Sequence, residues 1–473
     1  MNKRPLILVL ALMILVCGAF AFEQAAVWAA DYRNPDTELP DMYALTGNPA
    51  GKLYAGNIQY YRIKGTFSDA AYRRIYDPAR TQLYNADYTA LMQINHVSYF
   101  SASIIYEDLR LREIFGSMDK DFYDDYFSMV DSTSGNVAFY GPQLKLLYNV
   151  KLSEKLFFGL EGNYGVERSL KDTFPQTATI MRNSGYRAGL EYRGKAASLG
   201  IFGRYYDNQV HYEAVKQYME VKPRTYMGYN IFYNELASAT ANKVRTRNGL
   251  EYGTHFSLGR QSRISAQFGI SGLHRISRAD VIRGSYTRER GLWQREGLHL
   301  FGILNIFHQA EQGLRLYADH LHYSDWGASR ISNTLVIENA ERFSTLGAVF
   351  YYRPSLAQQI YAGAEARRVS YDYREYIFPF HDTRGGWEWN ISAGGRIYLS
   401  AKTRMGFDLK YGKEIPRFYW ETPSFENLGA IISLEKLFSF GYITFDVEYL
   451  QKTPENKPEK INVFLIGLSY GRK

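Results

Sequence analysis

The 473-residue chain has one cysteine, Cys17, and that residue lies within an N-terminal leader. A mature chain without the leader would have none, which excludes disulfides and thiolate metal sites. An exported chain of this size must then be held together by backbone pairing and packing. Long apolar runs are also scarce. The only one follows the first few residues, so a bundle of membrane-spanning helices is excluded. Proline is sparse, 14 residues against 40 glycines, a balance that suits tight turns and strands in which small residues relieve crowding. No Lys/Arg-rich run of the kind that tracks phosphates occurs. The formal charge of +8 is scattered along the chain, which speaks against a nucleic-acid partner.

Apolar residues at 46% and charged residues at 22% exclude wholesale disorder. Aromatics reach 16%, with 41 Tyr against 28 Phe. Each phenol wants a polar contact at one end, so such an excess is unusual for a soluble core. Lys3 and Arg4 followed by the apolar stretch Leu6 to Phe22 read as an export signal, and small-residue cleavage sites end at Ala21 and at Ala29. A retained anchor is disfavoured by the shortness of the run. A lipoprotein signal is disfavoured by Val16, which stands before Cys17 where a small residue is expected. The expected organisation is a signal peptide over 1–29, a short periplasmic or lumenal segment over 30–55, and a single β domain over 56–473.

From about residue 140 onward one pattern repeats. Over Trp387 to Leu399 one face reads Trp, Trp, Ile, Ala, Gly, Ile, Leu, and the other reads Glu, Asn, Ser, Gly, Arg, Tyr. Successive strand side chains point to opposite sides, so this is a strand with one apolar and one polar face. Tyr186–Arg193, Arg263–Ser271, Arg404–Lys410 and Tyr442–Tyr449 alternate in the same way. Short turns are expected near 151, 194, 260, 311, 355, 401 and 438. Longer loops are expected near 107–136, 167–184, 206–244, 276–296, 323–341, 371–386, 412–426 and 451–460. The count is about eighteen strands, with sixteen the next choice. No fixed 40-residue signature recurs, which disfavours propellers and solenoids.

A soluble sandwich hides its apolar face inside, whereas a membrane barrel turns it outward. Three features favour the barrel: strands long enough to cross hydrocarbon at a tilt, short turns alternating with long loops, and charges of both signs on the polar faces. Lipid cannot hydrogen-bond an open edge, so the sheet must close. Tyr192, Tyr398, Tyr411, Trp387, Trp389 and Tyr371 sit where interfacial girdles belong. The expected fold class is all-β, a closed antiparallel transmembrane β-barrel. Phe268, Ile391, Phe407 and Phe445 should then face outward; a shared dry core would refute the barrel.

The segment Ala44-Leu45-Thr46-Gly47-Asn48-Pro49-Ala50-Gly51 just before the first strand resembles the Asn-Pro-Ala element of FadL-like outer-membrane barrels. The general layout, including Gly185-Tyr186-Arg187-Ala188-Gly189, resembles uncharacterised Bacteroidota-type barrels. The C-terminal strand Asn462 to Tyr470 resembles the signal read by the barrel-insertion machinery, although Gly471-Arg472-Lys473 follows where a terminal aromatic is common. The resemblance implies residence in a Gram-negative outer membrane, lipid and insertion machinery as partners, and an apolar or amphipathic solute. Only about 25 residues separate the leader from the first strand. That length rules out a folded plug of the TonB-dependent kind and would leave any FadL-like hatch abbreviated.

The lumen is the candidate site. The inward set is Glu161, Arg187, Glu191, Arg193, Glu251, Arg263, Gln267, Glu365, Arg367, Glu388, Arg396, Arg404, Asp408, Lys410, Asp446 and Glu448, together with the motif Asn48, Pro49, Ala50. Interspersed signs either line a polar path or brace the wall by cross-strand pairing. The segment 206–244, with His211, Tyr212, Lys216, Lys222, Arg224 and Tyr226, is long enough to fold inward as a constriction, though a surface loop is the plainer reading.

Catalytic and metal signals are thin. Glu251, His255 and Ser257 share a face, but residues two apart on a strand lie ~6.5–7 Å apart, too far for a Ser–His hydrogen bond. His320 and His322 share a face without a third ligand. No catalytic residue, metal or cofactor is expected. The chain is read first as a barrel that binds or passes a small solute. The alternatives are a non-transporting scaffold for surface interactions and, third, a barrel hydrolase.

Overall fold

Strands that alternate between an apolar and a polar face satisfy their backbone groups only by pairing on both edges, and in hydrocarbon an unpaired edge costs several kcal/mol per group. The computed structural model of the chain meets that demand by closure. It describes residues 48–472 apart from 52–56, 74–76, 118–119, 121–127, 174–176, 215–223, 227–231, 235–240, 260–262, 284–285, 307–311, 331–332, 356–357, 378, 401, 416–422, 440 and 456–457. The leader, its cleavage sites and most of 30–55 lie outside the described residues.

The strands in chain order are β1 (Ile58–Ala70), β2 (Arg80–Asn95), β3 (Ser98–Ser117), β4 (Ser128–Lys151), β5 (Leu156–Lys171), β6 (Thr177–Arg193), β7 (Ala197–Ala214), β8 (Arg224–Tyr226), β9 (Phe232–Asn234) and β10 (Ala241–Leu258). They continue with β11 (Ile264–Arg283), β12 (Tyr286–Ile306), β13 (Gln312–Ser329), β14 (Thr334–Ser355), β15 (Gln358–Glu375), β16 (Phe380–Ser400), β17 (Thr403–Glu414), β18 (Phe425–Phe438), β19 (Gly441–Pro454) and β20 (Ile461–Arg472). Eighteen strands form a closed antiparallel barrel. β1 closes it by pairing with both β2 and β20, so that Ile63 faces Ala86 on one side and Leu468 on the other. The short β8 and β9 stand apart from the wall: they pair with each other, and β8 also pairs with Ser128–Val130 of β4.

The apolar faces look outward. Phe268, Ile391 and Phe445 are 52%, 56% and 45% exposed, and Phe407 is exposed as well. The outward series forms a band of limited height. On β11 it runs Ile264, Ala266, Phe268, Ile270, Gly272 and then turns polar at His274; on β15 it runs Ile360, Ala362, Ala364, Ala366 and turns polar at Arg368. The band is about nine residues tall, the length a tilted strand needs to cross hydrocarbon. Tyr164, Tyr186, Tyr205, Tyr252 and Trp387 stand exposed along its upper border, and Tyr192 along its lower one, as interfacial aromatics do. Tyr398 does not join them: it shares the inward phase of Glu388 and Arg396, lies opposite Arg404 and holds that guanidinium 5.8 Å from its ring centre.

The loop side differs from expectation. Residues 276–296, 323–341 and 371–386 are for the most part strand rather than loop: β11 and β12 are joined across 284–285, and β13 and β14 across 330–333. Above the band their outward series mixes polar side chains such as His274 and Arg278 with apolar ones such as Ile276, so the two faces lose contrast while the hydrogen-bond ladder continues. Of the segment 206–244, residues 206–214 and 241–244 belong to β7 and β10, Lys216 and Lys222 lie outside the described residues, and Arg224–Tyr226 is strand β8. Tyr371 does not belong to a girdle. On β15 the even positions face outward, so Tyr371 points in and packs edge-on against Phe343 at 5.6 Å between ring centres, in a cluster with Val369, Leu321, Tyr323 and Ile415.

Candidate functional site

The inner face carries charged and amide side chains from turn side to loop side, interrupted by buried apolar clusters such as that of Ile303, Tyr317 and Val349 and that of Phe343, Val369 and Tyr371. All the expected inward residues on the strands lie on the face opposite the exposed apolar series. Arg263 is the exception: it falls before β11, exposed in the turn, because the strand begins one residue later. Several of the inward charges meet partners. Glu161 is approached by Lys145 at 3.3 Å and Arg187 at 3.5 Å, Arg193 holds Glu191 at 3.0 Å, and Arg204 faces Glu251 at 3.5 Å. Arg367 faces Glu388 at 3.5 Å and Arg404 faces Glu435 at 3.3 Å. Gln267 is buried opposite Ser257. Asp446 and Glu448 stand on the inner face of β19, opposite Ser433 and Ile431.

At the turn side, Asn48 to Gly51 forms a fully buried turn of 3-10 helix against the inner wall of β4 to β7. Its own geometry is closed by Ala50 N–H donating to the Asn48 side-chain oxygen at 3.0 Å. The wall grips it by side chains. The Asn149 amide donates to the Pro49 carbonyl at 2.8 Å, the Asn48 amide donates to the Leu190 carbonyl at 3.2 Å, and the Arg193 guanidinium donates to the Ala50 carbonyl at 2.5 Å. Glycines make room for it. A Cβ at Gly159 would lie 2.3 Å from the Pro49 carbonyl carbon, and one at Gly189 would lie 1.8 Å from the Asn48 side-chain oxygen.

Recesses of the inner wall include three formed by described residues. One is lined by Glu365, Asn390, Ser392, Arg396, Asp408 and Lys410. A second adjoins it, sharing Glu365, Asn390 and Lys410 and adding Arg367, Glu388 and Glu414. The third, about 440 Å³, lies over β7 and β10 to β13 and is lined by Arg204, Tyr206, Glu251, Arg275, His299 and Asp319. Here the His299 ring nitrogen Nε2 and Asp319 share a hydrogen bond of 2.5 Å, and Arg275 Nε donates to the Tyr206 hydroxyl at 2.6 Å. Sequence reasoning missed Arg275, His299 and Asp319. Their signal was parity, since each continues the inward phase of its strand.

Nearer the loops the interior is packed. Arg295 forms a two-pronged pair with Asp325 at 2.5 and 2.6 Å and lies 3.5 Å from Glu341, while Asn339 donates to both acids. Lys120, from the β3–β4 connection, reaches the inner face and holds Glu167 at 2.7 Å and Glu107 at 3.3 Å. Burial works against its charge, but the two carboxylates prevail and raise the Lys120 ammonium above its ordinary value.

The hydrolytic trio is not assembled. Glu251 is engaged by Arg204, His255 is buried 4.0 Å from Glu191, and the Ser257 hydroxyl bonds that of Ser198 at 2.5 Å. His320 and His322 stand on the outer face, opposite Leu300 and Leu298. No group of three or more metal-ligating side chains occurs among the described residues.

Several solved structures overlap this chain loosely. They include the ferric preacinetobactin receptor BauA of Acinetobacter baumannii (8% identity, TM-score 0.44, covering 87% of this chain and 80% of that one). The ferric yersiniabactin uptake receptor FyuA of Yersinia pestis overlaps at 8% identity and TM-score 0.39, covering 89% and 80%. The toluene transporter TodX of Pseudomonas putida overlaps at 9% identity and TM-score 0.35, covering 95% and 99%. Overlaps this loose carry nothing over to the present lumen. No curated protein matches in sequence. Residues 49–471, from the Asn-Pro-Ala turn to the closing strand, match one family throughout, and the chain belongs to that family of unknown function, DUF6850.

Proposed function

We propose that the protein resides in the outer membrane of a Gram-negative bacterium and binds or passes a small polar solute through its lumen. The observation that carries the reading is the division of the wall: an apolar outer band bordered by Tyr and Trp, against an inner face of charges and amides gathered into recesses. Lipid takes the outside, and a solute that hydrogen-bonds suits the inside. The FadL-like motif implies an apolar or amphipathic solute; the recess lining favours a polar one. Asn462 to Tyr470, paired with both β19 and β1, would serve the insertion machinery as the last strand to close.

Planar-bilayer recording on the purified barrel tests this reading. Steady channels that a solute blocks in a dose-dependent way are expected. A second reading, a non-transporting scaffold, is favoured by the packed loop-side interior, where Trp293, Tyr373 and Glu341 have almost no exposure. A barrel that inserts and stays silent would support that reading instead.

A further inference from the structure

We infer that the lumen binds a small organic anion, one carrying a carboxylate or phosphate group, at either of two separate cations, Arg275 in the largest recess and Lys410 where the other two meet, each without an acidic partner among the described residues. The inference rests on the reading of the lumen as a solute path and names the class of solute.

The pairing of charges in the recesses is one-sided. In the largest, Glu251 is engaged by Arg204 and Asp319 by His299. In the other two, Glu365 accepts from the Tyr317 hydroxyl at 2.5 Å. Glu388 faces Arg367 and accepts the Ile415 backbone N–H at 2.9 Å, and Glu414 is held by Lys452 at 2.7 Å and by Asn427. Asp408 and Arg396 have partners as well. The acids are thus occupied by the wall itself.

Two bases are not. The hydrogen bond made by Arg275 among the described residues runs from Nε to the Tyr206 hydroxyl. Its guanidinium sits 5.6 Å from the Tyr206 ring centre and 5.8 Å from that of Trp293. That arrangement fixes the plane and leaves the Nη donors open, which suits a planar oxyanion. Lys410 stands where the two smaller recesses meet, and its ammonium has no hydrogen bond or ion pair among the described residues. A cation in a confined wall loses water without gaining a counter-charge, so a mobile anion is drawn to it. The recess linings balance in formal charge, so what an anion finds there is open donors and not a net positive field.

The test uses the full-length barrel and its Arg275→Gln, Arg275→Lys and Lys410→Gln variants. Succinate or inorganic phosphate should block single channels in planar bilayers. Each Gln variant should weaken that block, and Arg275→Lys should retain most of it. Calorimetric titration of the detergent-solubilised barrel with succinate and with inorganic phosphate separates carboxylate from phosphate recognition. Each Gln variant should weaken binding at its own recess about tenfold or more and leave the other recess unchanged. Lys410→Gln strands no partner, and heat-modifiable gel migration checks that every variant folds. Block or binding by either anion that the Gln variants weaken supports the inference. Open channels that neither anion blocks, or whose block both substitutions leave unmoved, overturn it and leave the solute path standing. A silent barrel that still binds one anion through Arg275 or Lys410 overturns the path and keeps the anion site. Silence without binding overturns both.

Discussion

Asn149 on β4 donates its side-chain amide to the carbonyl of Pro49 at 2.8 Å, a bond that ties the barrel wall to a turn lying a hundred residues earlier in the chain. The carbonyl is buried, so losing its donor costs more than the bond alone contributes. Asn149→Ala should destabilise the turn by about 1–3 kcal/mol and expose the segment before β1 to protease added from the turn side. Gly189→Leu should expel the turn outright, because even a Cβ there would collide with Asn48. If the turn is what narrows that end of the lumen, Gly189→Leu channels will conduct more than wild type. Limited proteolysis and single-channel recording on the same preparations check both effects.

Arg295 balances two carboxylates, Asp325 and Glu341, each with no side-chain exposure. Arg295→Met would leave both buried without a base and should cost about 3–5 kcal/mol. The combined variant Arg295→Met, Asp325→Leu, Glu341→Leu should recover much of that loss, since apolar replacements for a buried ion group are often neutral. Urea-dependent refolding into lipid vesicles measures the difference.

The height of the apolar band can be probed on one strand. Phe268 faces outward within the band and Ile276 faces outward above it. Phe268→Arg should cost about 2–4 kcal/mol of barrel stability and Ile276→Arg about 1 kcal/mol or less. Equal costs would mean that the band does not meet hydrocarbon.

Asp172, just beyond β5, accepts hydrogen bonds from the Asn136 backbone at 2.8 Å and from its side chain at 2.7 Å. Burial works against its charge, but these bonds outweigh burial and hold the carboxyl below its ordinary value of 3.8. A folded-state pKa below the unfolded one adds stability that is present above the unfolded value and lost as pH falls through the folded one. The stability gap between wild type and Asp172→Asn should therefore be constant near neutral pH and should close below pH about 4. Acid titration of loop-side proteolysis follows that closure.

The barrel and its two faces were legible because hydrocarbon imposes contrast. Along Ile264 to Gly272 every outward side chain is apolar or glycine, and Ser265 and Gln267 between them are polar. Above the band water touches both faces, as at His274, Asp372 and Arg374. The period of two then has no hydrophobic amplitude, and strand reads as loop. Tyr371 was assigned to a girdle for that reason, its parity hidden once Arg368 and Ser370 broke the apolar series. The Asn-Pro-Ala turn was visible as residues but not as a place, since its seat is made by glycines and an amide on four different strands. Arg275, His299 and Asp319 become neighbours through register alone, which composition cannot carry, and Lys120 arrives from a connection with no periodicity at all.

β11 to β14 run to 20, 21, 18 and 22 residues, about twice the span that hydrocarbon requires. The surplus continues beyond the apolar band as a laddered collar, with only two residues of chain between β11 and β12 and four between β13 and β14. Proteases added from that side would find few cleavable tethers on this flank.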